Sequence, residues 1–198
     1  MLFRSLRDEV DGIRRALGVP TVLVTHDVED VTRLATHLVV LEQGRAVAQG
    51  PLLSLLSRPN LRHVREAFGL GSLVDAEVSD VNASRGLATL SFDGGRLVAP
   101  NAGVAPGVRV RVRIPAREVI LADRRPEGLS LHNAMQGLVT AVAGEPDSPF
   151  VTVQVTVGQT PLLAEVTRDA VARLGVATGR EIYALVKSVS LEIGRAHV

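Results

Sequence analysis

There is no cysteine among the 198 residues. Disulfides, thiolate metal sites and a cysteine nucleophile are therefore excluded, and the composition suits a reducing compartment. Aromatic residues make up 3% of the chain and tryptophan is absent, which leaves little for base-stacking platforms. No run of eighteen apolar residues occurs, so no segment here reads as a membrane-crossing helix. Charge of one sign is missing too: 22 basic residues face 21 acidic ones, for a net charge of +1. That balance gives no footprint for nucleic acid or for an anionic membrane. A small anion is still admissible, because it needs only a few local donors.

Hydrophobic residues make up 46% of the chain, enough for one mid-sized domain or several small ones. The first third alternates helix and strand signals. Leu6, Val10, Ile13 and Leu17 recur at helical steps, and Gly18 and Pro20 stop that helix. Thr21–Thr25 is a short apolar run that suits a strand buried on both faces of a mainly parallel sheet. Asp27 can cap a second helix with the face Val28, Val31, Leu34, Ala35 and Leu38. Leu38–Leu41 and Arg45–Gln49 read as strands, and Gly50-Pro51 opens another helix. This is an α/β pattern with too few strands for a complete doubly wound sheet.

After about residue 70 strand signals take over. Asp93-Gly94-Gly95 reads as a hairpin turn between Leu87–Phe92 and Arg96–Ala99. Val108–Ile114 and Val151–Val157 alternate with period two, which predicts half-buried strands of small barrels. The row Arg109, Arg111 and Arg113 reads as the solvated face of its strand. A weak repeat links Pro106-Gly107 with Thr178-Gly179 and the strands that follow them. The organisation expected is an α/β segment over 1–70, a first β unit over 72–126 and a second over 127–192. The linker is Arg124–Gly128. The last residues, 193–198, are similar to the translation of a common sequencing-adapter oligonucleotide and are read as a non-native tail.

Two sets of residues carry chemistry. His26 follows the run Val22-Leu23-Val24-Thr25, where ligands of open α/β sheets sit. It can donate to a phosphate oxygen, or it can be an ordinary polar residue at a helix start. In the β-rich part, Ser130-Leu131-His132-Asn133 precedes one strand and Lys187-Ser188 ends another. These side chains can donate to a tetrahedral dianion. On spacing alone they also read as turn residues and a surface lysine.

Residues 18–51, from Gly18-Val19-Pro20 through Thr25-His26-Asp27 and Val39–Arg45 to Gln49-Gly50-Pro51, resemble the switch region of importer-type ABC ATPases. The resemblance implies that His26 contacts the nucleotide γ-phosphate. No G-x-x-x-x-G-K-[ST] occurs anywhere in the chain, and the family's signature motif and acidic magnesium-holding strand are missing as well. Phosphoryl transfer depends on those parts. The chain alone is therefore expected to hydrolyse no ATP; phosphate release above that of a His26→Ala control, measured with malachite green, would refute this. ATP and magnesium would belong to the full-length subunit.

Residues 129–191 resemble the molbindin-like (TOBE/MOP) domain found at the C-terminus of molybdate-importer ATPases. The matching pieces are Ser130–Asn133, Gly137-Leu138-Val139, Ala164–Thr167 and Tyr183–Val189. The fold class implied is an α/β fragment, the C-terminal part of an ABC ATPase domain, followed by all-β OB-like small barrels. The ligand implied is molybdate or tungstate, held by Ser130, Asn133, Lys187 and Ser188, with Thr167 as a further contact. His132 stands where that family has arginine, and Pro115-Ala116 stands where a first-unit Lys-Ser pair would be. The partners implied are a second copy in a homodimer and an integral-membrane permease, at the cytoplasmic face of the inner membrane. An importer ATPase for sugar, polyamine, sulfate or iron, and a free cytoplasmic molybdate-binding protein, are the alternatives.

Overall fold

The computed structural model describes residues 12, 13, 16–57, 69–101 and 103–195. Leu6 and Val10 of the expected first helix lie outside them, and Ile13 and Leu17 are exposed. The described chain begins with helix α1 (Val28–Leu34), strands β1 (His37–Glu42) and β2 (Arg45–Pro51), and the short helix α2 (Leu52–Leu56). Strands β3 (Gly71–Asn82), β4 (Leu87–Phe92), β5 (Gly95–Pro100), β6 (Arg109–Pro115) and β7 (Val119–Ala122) follow. Next come β8 (Asn133–Ala143), β9 (Phe150–Val157), β10 (Thr160–Thr167), helix α3 (Arg168–Leu174), β11 (Glu181–Val186) and β12 (Glu192–Arg195).

The protein is mainly β, and every pairing among the described strands is antiparallel. This corrects the expected parallel layer in the first third. Thr21–Thr25 forms no strand: Val22 is 92% exposed and Val24 89%. A strand buried on both faces exists only between neighbours, and no described strand pairs with this run. β1 and β2 form a separate hairpin instead. That hairpin, α1 and α2 bury Val31, Leu52 and Leu56 against Leu73 of β3.

The rest makes two five-stranded sheets, in the orders β12-β6-β3-β4-β5 and β10-β9-β8-β11-β7. They share one apolar core, to which valines of β3, β6, β8 and β9 contribute. The two sheets are built alike. β3 carries a bulge between Val78 and Asp80, and β8 carries one between Val139 and Ala141. At the first, the Val78 carbonyl accepts from Gly107 N–H while Val78 N–H donates to Val108; at the second, Val139 does the same with Gly179 and Arg180. A bulge strengthens the local twist, and each glycine loop fastens it.

The sequence boundary near residue 126 does not divide the sheets, because the last strands are exchanged. β7, from the first unit, pairs with β11, and β12 pairs with β6. Ile193–Arg195, read from sequence as a foreign tail, thus lie in a sheet opposite Val112, Arg111 and Val110. Residues 196–198 lie outside the described set. Each unit covers one edge of the other with a four-residue strand, and short edge strands limit edge-to-edge pairing.

The alternation in β6 also needs correcting. Arg109 is exposed, but Arg111 is 6% exposed and far from solvated. Its Nε donates to Asp75 Oδ1 at 2.9 Å across the β3–β6 ladder, and its Nη1 donates to the carbonyls of Thr32 and Ala35 at 2.9 and 3.0 Å. The face that reads as polar is therefore covered by α1, whose final carbonyls lack helical partners. Gln154 makes a second link to the first third, its Nε2 donating to Ser57 O at 2.8 Å.

Candidate functional site

The β8–β11 ladder ends at Asn133 opposite Val186. Beyond it the two segments run on side by side, Ser130–His132 on one and Lys187–Ser190 on the other. The second closes into a 3-10 turn over Ser188–Ser190, with Ser190 N–H bonded to Lys187 O. Proline-free backbone and a serine at each end suit such a turn. Ser188 is buried at 8% exposure, and its Oγ lies 3.2 Å from His132 Nδ1. Ser130, His132 and Lys187 are exposed. Among the described residues the Lys187 ammonium makes no ion pair. These side chains offer hydroxyl, imidazole and ammonium donors, and one carboxylate stands at the far end of the turn, where Glu118 accepts from Ser190 Oγ at 2.6 Å.

Asn133 is 2% exposed. Its Oδ1 accepts from Val98 N–H at 2.7 Å and its Nδ2 donates to Val98 O at 3.0 Å. One side-chain amide therefore stands in for a neighbouring strand on the edge of β5. This pins β5 against the 3-10 turn, which it also contacts. The amide oxygen and one of the two Nδ2 hydrogens are used, so Asn133 positions the cluster and keeps one N–H. The other unit repeats the device: Ser72, 1% exposed, accepts Leu163 N–H of β10 at 2.7 Å. There Ala116 takes the place of Ser188 and Arg117 pairs with Glu165 at 3.3 Å. That second location carries a carboxylate where an anion would sit.

Thr167 is exposed and caps α3, its Oγ1 accepting from Ala170 N–H at 3.2 Å. The hydroxyl proton is left free to donate, but no hydrogen bond joins Thr167 to the cluster. His26 is exposed as well, in the loop before α1. Beside it the Thr25 hydroxyl accepts from Asp27 N–H and donates to Asp30 Oδ2, both at 3.0 Å. No contact joins His26 to residues 130–133 or 187–190. A shallow concavity lies elsewhere, along Asp75, Glu77, Asp93 and Arg109. Its excess of carboxylates suits no anion.

Two features escaped sequence reading. The Asn133 clamp binds backbone, which no side-chain pattern announces. The burial of Arg111 was signalled only by Asp75 at a matching place in β3.

A family model described as the TOBE domain matches residues 130–193. The molybdenum import ATP-binding protein ModC of Methylococcus capsulatus is 39% identical over 182 residues, 92% of this chain and 51% of that protein. The protein of the same name from Rhizobium johnstonii is 35% identical over 187 residues, 94% of this chain and 50% of that one. The one from Thiobacillus denitrificans is 38% identical over 182 residues, with 92% and 50% covered. The chain spans about half the length of the curated relatives it matches. A crystal structure of the cytoplasmic molybdate-binding protein ModG, with molybdate bound, has a TM-score of 0.54 at 21% identity. It covers 63% of this chain and 95% of that one, and at that identity the likeness concerns the fold.

Proposed function

We propose that this chain, the C-terminal part of a member of the molybdenum import ATP-binding family, is the oxyanion-sensing portion of an ABC importer subunit for molybdate or tungstate. The observation that carries the reading is the contact of His132 with Ser188 at the end of the β8–β11 ladder, next to Lys187 and two residues from Ser130 in sequence, inside the segment that matches the TOBE model. A dianion recognised through its oxygens needs donors and positive charge. The cluster supplies both, and Asn133 holds it against β5. Residues 12–57 are then the end of an α/β ATPase domain, with His26 reaching the γ-phosphate in the whole subunit. The whole subunit works as a homodimer with an integral-membrane permease at the cytoplasmic face of the inner membrane. Oxyanion binding biases that cycle if the two transport states differ in their affinity for it.

Titration calorimetry of the full chain with molybdate, sulfate and phosphate tests the reading. Molybdate is expected to bind, with sulfate and phosphate at least tenfold weaker. Losing the Lys187 ammonium in Lys187→Ala removes one charge-assisted bond, about 1.5–3 kcal/mol, so affinity should fall roughly 10- to 100-fold. Equal binding of sulfate would refute the assignment to molybdate. Complete silence from a folded sample would favour the second reading, in which the β units serve dimer contact in an importer of another solute.

A further inference from the structure

We infer that His132 couples oxyanion binding to uptake of a proton; the inference rests on the oxyanion reading above and specifies how that site is regulated. The contact between His132 Nδ1 and Ser188 Oγ at 3.2 Å carries it.

The number of polar hydrogens on the pair decides what it can donate. A neutral imidazole and a serine hydroxyl together hold two. Their mutual bond uses one, whichever tautomer is present, and one is left to donate. An imidazolium and a hydroxyl hold three. Then Nδ1–H donates to Ser188 Oγ, and both Nε2–H and the serine O–H are left for an acceptor. Protonation therefore doubles the donors the pair offers and adds a unit charge. Ser188 is buried and cannot turn to water for a substitute. His132 is exposed, so its Nε2 edge is open to a ligand and to solvent protons.

The surrounding charges do not replace that proton. Lys187 follows Val186 and His132 precedes Asn133, the last pair of the ladder. Arg96 is on β5, which contacts the 3-10 turn. Glu118 accepts from Ser190 in that same turn at 2.6 Å, and Glu127 lies on the approach to Ser130. With the Glu118 carboxylate already on the turn, the imidazolium proton adds positive charge that favours a dianion. Imidazole is the side chain that ordinarily titrates between about pH 5 and 8.

A bound dianion stabilises the charged imidazole, so His132 holds its proton to higher pH in the complex than in the free protein. The gain in affinity is complete below the free group's titration and is lost as pH rises through that of the complex. Between those limits affinity falls by up to about tenfold per pH unit. Molybdate is a dianion at both pH values of the experiment below, so a slope between them belongs to the protein.

The experiment is molybdate calorimetry on the full chain at about pH 6.5 and about pH 8.5, in two buffers of different ionisation enthalpy. His132→Arg and His132→Gln are run alongside, with folding checked by circular dichroism. The wild type is expected to bind at least about tenfold more tightly at the lower pH and to take up part of a proton. His132→Arg should bind with no pH dependence and no proton uptake, and His132→Gln should stay at the weak, alkaline affinity throughout. Wild-type binding without proton uptake, or the same uptake in His132→Arg, overturns the inference and leaves the oxyanion site standing. Failure of every folded variant to bind at either pH overturns the oxyanion reading itself, and this inference with it.

Discussion

Replacing Arg111 with alanine is expected to lower the stability of the chain by about 2–3 kcal/mol, since hydrogen bonds to charged groups are worth about 1.5–3 kcal/mol each and are not additive. The guanidinium bonds Asp75 and the carbonyls of Thr32 and Ala35 together. Its removal leaves two carbonyls at the end of α1 facing a void that water enters poorly. The Asp75 side chain is 41% exposed, so its own loss is screened by solvent and adds little. Asp75→Asn, which keeps the carbonyl bonds, should therefore cost only about 1 kcal/mol. The melting temperature of Arg111→Ala should drop by roughly 5–10 °C for a chain of this length. Urea denaturation of the two variants against wild type checks the difference. Equal losses for Arg111→Ala and Asp75→Asn would mean that the carbonyl bonds contribute nothing. Limited proteolysis gives an independent reading, because α1 and the β1–β2 hairpin are held to the sheets by few other ties, among them Leu73 and Gln154. Cleavage in residues 36–57 should accelerate in Arg111→Ala while β3–β11 remain protected.

The same residue shows where sequence reading reached its limit. Period-two alternation located β6 and β9 within a residue, because one face of each strand must be apolar. The turn at Asp93-Gly94 was equally plain, since few residues other than glycine adopt its backbone. Alternation cannot say what covers the polar face, however, and α1 covers it at Arg111. The reverse error fell on Thr21–Thr25, a short continuous apolar run of strand length with no strand partner among the described residues. Strand exchange was also beyond reach: β7 and β12 are four residues each, too short for their pattern to specify a partner. Of the candidates read by residue type, Ser188 lies beside His132, and Lys187 follows the end of the β8–β11 ladder. Asn133 was read as a ligand contact, and the structure adds a clamp of its amide on the backbone of Val98 that no pattern announced. His132 was noted only as a departure from arginine, and its meeting with Ser188 depends on the ladder register.

Gly158→Ala should be as damaging as loss of Arg111, and for a purely local reason. The β4–β5 and β9–β10 turns meet back to back at the junction of the two sheets. A Cβ on Gly158 would stand 2.5 Å from Gly94 Cα and 2.9 Å from Gly94 N. Both atoms are backbone and cannot rotate away. Gly94 is equally confined, since a Cβ there would overlap the Val157 carbonyl. The Thr160 hydroxyl donates to Asp93 O across the same junction, so the turns cannot part without losing that bond. The backbone of Gly158 also sits at φ 61°, a conformation that costs alanine about 1 kcal/mol. Overpacking adds about 1–3 kcal/mol, for a total near 3 kcal/mol. Gly86→Ala separates the two terms, because Gly86 has φ 65° and open space around its Cα. That variant should lose only the conformational part, about 1 kcal/mol. Thermal melts that place both variants at the same temperature would show that the turns do not press on each other. The effect should also reach the proposed oxyanion cluster. β5 starts at Gly95, directly after the strained turn, and carries Val98, which Asn133 clamps. A displaced β5 loosens that clamp and the 3-10 turn beside it, so Gly158→Ala should weaken molybdate binding at temperatures where the chain is still folded, while Gly86→Ala should not.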